Sequence, residues 1–391
     1  LRELFSWFDE HARFLLADRY AKKLNSGNTV LLFLEALLRR RPGLEAIAEH
    51  LRSSPWMQEW LQLSSIHASS LHRKLESLPS DALQSLVEQA MTELGEAYQD
   101  QALAKIGPLA AVDATTISIG AKRGEWAYVQ PGQHAVKLHL SLGLVNTQAA
   151  HPLHIALSTG VVSDLDVEVL DALVVPSAHT YIFDRGYVSF GRYVDWTKRS
   201  IRFVARVRFN NKFTVLRERP CTAGTDRDAE IAVTDPQTGD QVLMRLVEYR
   251  YTDRHGKPQR IRVVTNRMEL SAQDIAKIYA WRWKIELFFR TLKTQLHLSH
   301  IYNSKPEAVW NCIYLNLLIA VIGEIIRKTA VPKQSLGTVI RKLSLYAEHD
   351  LFSLRDALCP KRERTSRGRR KRGGRPRKRP KRLKPQRILR T

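Results

Sequence analysis

Three carboxylates stand out by where they fall in the chain. Asp113 follows the apolar run 109–112 and Asp184 follows the apolar run 180–183, so each closes a short strand-like segment. A charged residue at the end of a buried strand sits at the rim of a sheet, where α/β proteins gather their ligands. It can equally cap the turn that comes next. Glu286 lies in a helical pattern instead. At about 100° per residue, Tyr279, Arg282, Glu286 and Lys293 fall in one stripe about 60° wide. An apolar face of Trp281, Ile285, Phe288, Leu292 and Leu296 adjoins it. Glu286 is therefore expected on a helix edge between a phenol and two cations, where buried meets open. The same spacing makes Arg282 and Glu286 an i,i+4 pair of the kind found on solvated helix faces, and spacing alone does not choose between the two. Brought to one rim, three carboxylates would offer hard oxygen ligands to Mg²⁺, which keeps several waters and needs few protein groups.

The elements that must position these acids change character along the chain. Residues 1–100 read as helices, with Phe8, Phe14, Leu15 and Tyr20 on shared apolar faces and further helical runs at 29–40, 44–52, 64–75 and 83–94. A turn is expected at Ser53-Ser54-Pro55. The segment 66–75 has small and polar residues at its start and Arg73 and Lys74 at its end. That suits a helix entering a DNA groove, and suits an ordinary amphipathic helix as well. From residue 109 the period shortens to two: Val136, Leu138, Leu140, Leu142 and Leu144 alternate with polar or small residues, as in a strand. Further strands are expected at 153–157 and 180–183, with helices at 164–174, capped by Ser163, and at 187–198. Residues 201–267 read as strands separated by turn clusters such as Asp235-Pro236-Gln237-Thr238-Gly239. A single long helix is then expected over 271–296 with Ser271 as its cap, and more helices to about residue 358.

Charge is distributed unevenly. The 62 Lys and Arg stand against 39 Asp and Glu, a net +23. Residues 361–391 alone hold 17 cations and one acid, Glu363. This is a mildly basic body with a strongly basic appendage, and polyanion binding is the natural reading. Within the tail, Gly374-Arg375-Pro376-Arg377 resembles a minor-groove hook, though a plain electrostatic tail fits too. Cys221, Cys312 and Cys359 are far apart and odd in number, which suggests neither a disulfide framework nor a thiolate site and fits a reducing cytoplasm. No secretory signal is evident. The apolar run 312–326 is about one turn short of a membrane span and contains Asn316 and Glu324, so a buried core helix is expected. His134, His139, His151 and His154 invite a metal reading, but two sit in the alternating strand region and a structural role is expected. Asp164, Asp166, Glu168 and Asp171 are accounted for by a favourable helix N-terminus.

The spacing Tyr279-x2-Arg282-x3-Glu286-x6-Lys293 matches the signature of bacterial insertion-sequence transposases of family four. Asp184-Arg185-Gly186-Tyr187 resembles that family's second-aspartate motif, and Val112-Asp113-Ala114-Thr115-Thr116 its first. The resemblance covers about residues 1–350. It implies an α/β architecture: a ribonuclease-H-like mixed-sheet catalytic core at 101–300 with a β-rich insertion near 201–267. A helical N-terminal DNA-binding domain at 1–100, a helical C-terminal region at 301–358 and a disordered basic tail at 359–391 complete the expectation. It also implies that Asp113, Asp184 and Glu286 bind two catalytic Mg²⁺ (or Mn²⁺) ions. Tyr279, Arg282 and Lys293 would hold the DNA backbone, with Arg185, Tyr187, Arg73, Lys74, Arg375 and Arg377 as further DNA contacts. The implied partners are double-stranded DNA, both the terminal inverted repeats and the target, and a second protomer in a synaptic complex. The implied reaction is cut-and-paste, in the bacterial cytoplasm. Two other readings stand beside it: a transposase-derived DNA-binding protein without activity, and a nuclease that cuts but does not join. All three acids and the whole helix stripe are present, so nothing in the residues argues for loss of activity.

Overall fold

A computed structural model describes residues 18–95, 105–120, 124–144, 150–222, 224–252, 257–331 and 333–359. Five helices come first: α1 (Ser26–Arg39), α2 (Leu44–Ser53), α3 (Pro55–Leu61), α4 (Ala68–Ser77) and α5 (Ser80–Gly95). The strands follow as β1 (Leu109–Ser118), β2 (Tyr128–Gln130), β3 (Gln133–Leu144) and β4 (Ala150–Thr159). Next come α6 (Val167–Leu173), β5 (Thr180–Phe183), α7 (Phe190–Lys198) and β6 (Arg202–Arg206). An antiparallel ribbon of β7 (Thr214–Glu218), β8 (Thr225–Thr234), β9 (Gln241–Thr252) and β10 (Pro258–Thr265) leads into the last helices. These are α8 (Ala272–Ala280), α9 (Trp283–Gln295), α10 (Pro306–Ala330), α11 (Leu336–Tyr346) and α12 (Leu351–Leu358).

All ten strands form one mixed sheet. Its order is β3-β1-β5-β6-β10-β9-β8-β7, with β2 and β4 both paired to β3. The β1–β5 and β5–β6 pairs are parallel and every other pair is antiparallel. Strand alternation sorts the side chains to two faces. Ala111, Leu138, Leu140, Leu142, Ile182 and Val204 pack under the N-terminal and C-terminal helices. Ala110, Val112, Tyr181, Phe183 and Phe203 pack under α6 and α7, where Phe183 stacks on Trp196 with ring centroids 4.8 Å apart.

Several expectations change here. Residues 202–206 pair in parallel with β5 and so belong with β1 and β5 rather than to the expected insertion; the ribbon proper is β7–β10, and it continues the same sheet through β10. The helical segment 18–95 shares one core with the C-terminal helices rather than standing apart. Asn311 of α10 donates to the Leu75 and Leu78 carbonyls at 2.8 and 3.0 Å, satisfying the end of α4. The expected turn at Pro55 starts helix α3, with Ser54 capping Met57 N–H and Pro55 in the first turn, where its missing donor costs nothing. The cap of α6 is Asp166, not Ser163. Helix α10 runs 25 residues, longer than the apolar run suggested, and is buried along most of its length. The expected helix around Phe8–Tyr20 lies largely outside the described residues, as does the basic tail.

Candidate active site

The parallel register brings the two aspartates together. Ala110 pairs with Tyr181 and Ala111 with Ile182. Two residues beyond that last pair stand Asp113 and Asp184, at the same level of adjacent strands. Alternation turns both toward the face of Ala111 and Ile182, which lies under α9. Asp113 does not end its strand, as the sequence suggested: β1 runs on to Ser118 against β3, and only its β5 side is open beyond Ala111. Locally, the Asp113 carboxylate accepts from Ala114 N–H at 2.9 Å. Asp184 begins a 3₁₀ turn, Arg185–Tyr187, and accepts from Gly186 N–H at 2.7 Å. A Cβ on Gly186 would lie 3.0 Å from Asp184 Oδ1, so a side chain there would press on the carboxylate.

Glu286 comes from the opposite side. The expected single helix is two, α8 and α9. Trp281 and Arg282 keep helical backbone angles, but their N–H groups bond three residues back, to Ile278 and Tyr279 carbonyls, both at 3.1 Å. In such a tightened turn the side chains at i and i+3 eclipse, and the Arg282 guanidinium lies over the Tyr279 ring, 5.9 Å from its centroid. Arg282 also pairs with Glu286 at 2.5 Å, so the i,i+4 contact is made. Ile285, Phe288 and Leu292 anchor α9 in the core, and Glu286 stays half-buried on the edge of that face.

Asp113 feels both of the other acids. Burial pushes the Asp113 carboxyl up to about 6; Asp184 and Glu286 push the same way, while the Ala114 N–H and Arg282 oppose. A buried carboxylate with two more at the same rim, and one guanidinium among them, suits a hard divalent cation. The acids are not a closed cage. Among the described residues, the one trio of ligand atoms all within 4.8 Å of each other is Glu35, His50 and Glu348. Arg41 at 2.7 Å and Arg39 at 3.4 Å already neutralise that trio's carboxylates.

The remaining expected residues divide. Lys293 is exposed on α9 and Arg185 is exposed beside Asp184. Tyr279 is buried at 4 % exposure. Tyr187, expected at DNA, is buried against Phe183, ring centroids 5.7 Å apart, in the core on the α6 and α7 side of the sheet, and its hydroxyl has no hydrogen-bond partner among the described residues. Arg73 is exposed on α4, whereas Lys74 is held by Asp18 at 2.5 Å. Arg375 and Arg377 lie outside the described residues. His139 is fully buried and bonds Ser158 at 2.7 Å; His134 bonds the Gly124 carbonyl at 2.7 Å. Asp164 pairs with Lys137 at 3.0 Å. The sequence reading missed Arg206, at the end of β6. Phe183 pairs with Ala205, so Arg206 continues the row of Asp113 and Asp184 onto a third strand. No local motif marks it; only the register does.

Comparison with known proteins identifies a family. Residues 105–322, more than half of the chain, match the transposase DDE domain family. The chain is similar to a probable transposase for insertion sequence element IS5377 of Geobacillus stearothermophilus, 25% identical over 264 residues, or 66% of this chain and 67% of that protein. It is similar to the putative transposase y4zB of Sinorhizobium fredii, 25% identical over 250 residues, or 63% and 67%. A shorter match, 40% identical over 72 residues and covering 18% and 19%, is to the transposase for insertion sequence element IS421 of Escherichia coli. Two register-matched aspartates, a glutamate facing them from a helix and this family match lead to one assignment: the chain belongs to the DDE transposases of bacterial insertion sequences.

Proposed function

We propose that the chain excises its insertion sequence by cutting at the terminal inverted repeats and joins the ends to target DNA, a cut-and-paste route of the kind used in family four. The observation that carries this reading is the shared rim of Asp113 and Asp184, with Glu286 facing it across Arg282. The family depends on divalent metal, and Asp113, Asp184 and Glu286 are the residues that would hold it, as two Mg²⁺ or Mn²⁺ ions. When bound, such a pair supplies an activated nucleophile and stabilises the leaving oxygen of an in-line displacement. The chain's own groups do the rest. The Arg282 guanidinium orients the Glu286 carboxylate through their 2.5 Å contact and offers its remaining N–H groups to a phosphate. Lys293 stands two turns further on, about 10 Å along the helix axis, and serves the DNA backbone rather than the reacting atoms. Arg185 does the same beside Asp184. Two protomers, each on one end, form the synaptic complex, and the reaction belongs in the bacterial cytoplasm at the nucleoid.

The test is a reaction of the full chain with labelled end fragments taken from the DNA flanking its gene, a supercoiled target and Mg²⁺ or Mn²⁺. Metal-dependent nicks at the element ends, hairpin products on denaturing gels and end–target joints are expected. Cutting without any joint would remove strand transfer from the proposal, and metal-independent or absent cutting would remove the whole of it.

A further inference from the structure

In a chain of net charge +23, two long stretches hold no Lys or Arg at all. Residues 75–104 carry six acids and residues 138–184 carry five. The fold sets parts of both side by side. Helix α5 comes from the first stretch, and β4 and α6 come from the second; α5 and α6 pack on opposite faces of the sheet at β4. Between them runs a groove of about 510 Å³, lined by Glu88 and Thr92 of α5, residues 151–155 of β4 and Ala172 of α6. Among the described strands β4 pairs only with β3, so its outer edge keeps unpaired backbone groups.

The carboxylates around this groove are open. Glu88 and Glu93 are exposed on α5, and Glu168 is exposed on α6, one turn before Ala172. None of the three forms an ion pair among the described residues, whereas Asp171 is held by Arg192 and Asp164 by Lys137, both at 3.0 Å. His151 points the same way. It is 7 % exposed, lines the groove and has no hydrogen-bond partner among the described residues. Burial pushes its imidazole down to about 4, so the ring is neutral. A buried neutral imidazole without a partner carries an uncompensated cost, which a cationic N–H donor removes.

The basic segment 361–391 starts close to this face. Cys359, the last described residue, donates its thiol to the Ala330 carbonyl at the end of α10, 3.7 Å away. Two residues earlier in that helix, Lys328 donates to the Leu94 carbonyl at the end of α5, at 3.0 Å. Helix α5 is about 24 Å long at 1.5 Å per residue, and a segment of this length reaches about 100 Å when extended. Reach is not limiting. The 17 cations of the segment complement the open carboxylates. Each exposed ion pair is weak, but attachment to the same chain supplies an effective concentration on the order of millimolar. We propose that residues 361–391 dock along the α5–β4–α6 groove of their own chain, on Glu88, Glu93 and Glu168, and that DNA displaces them. The acidic edge thereby competes with DNA for the tail and lowers the affinity for duplexes of random sequence. The contact is independent of the chemistry at the Asp113 rim.

The test is carbodiimide cross-linking of the full chain at low salt without metal, which joins lysine amines to carboxylates in contact, read by peptide mass spectrometry. Lys361, Lys371, Lys378, Lys381 and Lys384 are expected to link chiefly to Glu88, Glu93 and Glu168. One equivalent of a random-sequence duplex should remove most of these links. In a mixture of isotopically light and heavy chains, the links should stay within one label. The triple variant Glu88→Gln, Glu93→Gln, Glu168→Gln should lose them and bind the random duplex about 3- to 10-fold more tightly, a gain that disappears at high salt, where such contacts are screened. No tail links, or tail links spread over distant acids such as Glu45, Glu49 and Glu59, would overturn the docking. Links between light and heavy chains would overturn the same-chain contact and assign the groove to the tail of a second copy. Links that persist with DNA, or an unchanged affinity in the triple variant, would overturn the competition. No readout here depends on cleavage, so this failure is distinct from failure of the proposed reaction.

Discussion

Asp113 bears the largest electrostatic cost in the site. Burial lifts its carboxyl to about 6 from an ordinary 3.8, so the metal-free fold disfavours the ionised form. The sign follows from proton linkage. Below about pH 4 the group is protonated in both folded and unfolded chains and contributes nothing. As pH rises toward 6 the unfolded chain gives up its proton first, and above that the full penalty falls on the fold. Asp113→Asn should therefore raise metal-free stability at pH 8 by up to about 3 kcal/mol, with the gain shrinking as pH falls toward 4.5. Denaturant unfolding at the two pH values measures it, and equal effects at both would contradict the electrostatic account. At this scale the sequence was partly legible. Asp113, Asp184 and Glu286 could be read as candidates from residue type and position. The depth of Tyr187 and the placement of Arg206 could not, because both depend on which strands become neighbours.

Elements show the same division. Period-two alternation located β3, a short apolar run located β5, and apolar spacing located most helices, because those signals are local. The tightened turn between α8 and α9 was not legible: Ala280-Trp281-Arg282 contains no Pro or Gly, and the backbone stays helical there. Strand β7 also escaped notice, since all five of its residues are exposed and leave no burial pattern. Helix α10 depends on a polar device inside an apolar element. Glu324 and Arg327 are 4 % and 1 % exposed and pair at 2.6 Å, while burial still pushes the Glu324 carboxyl up to about 7. Removing one partner strands the other. Arg327→Met should cost about 3–5 kcal/mol in chemical unfolding, whereas replacing both by apolar residues of similar volume should cost much less. A loss below 1 kcal/mol for Arg327→Met would mean that the pair is not holding α10 in place.

For the whole molecule, the sequence indicated an α/β core between helical ends, and the structure has that layering. What it obscured was continuity: the ribbon is part of the catalytic sheet, and the N-terminal helices share a core with α10. Such joins are long-range packing choices with no local signature. Charge, by contrast, is fully legible from the sequence. If about half of the 17 cations in residues 361–391 neutralise phosphates, deleting that segment should flatten the log K versus log salt slope by roughly 7 to 8. Preference for end DNA over random DNA should survive if base readout is made by the folded body, as proposed. A truncated chain that keeps the full slope would show that the anchoring charge lies elsewhere.

The central claim is that Asp113, Asp184 and Glu286 form one metal-dependent site for cutting DNA. Glu286→Gln tests it most directly, since the change removes a ligand charge with little change of shape and Glu286 is the member brought in from a separate layer. The measurement is single-turnover cleavage of labelled end DNA at saturating protein, with Mg²⁺ and with Mn²⁺, beside a binding titration of the same DNA. The account predicts cleavage lowered by at least about 100-fold with either metal, the scale of losing a group that acts on the reacting atoms, and binding within a few-fold of wild type. Near-normal cleavage by Glu286→Gln would contradict it.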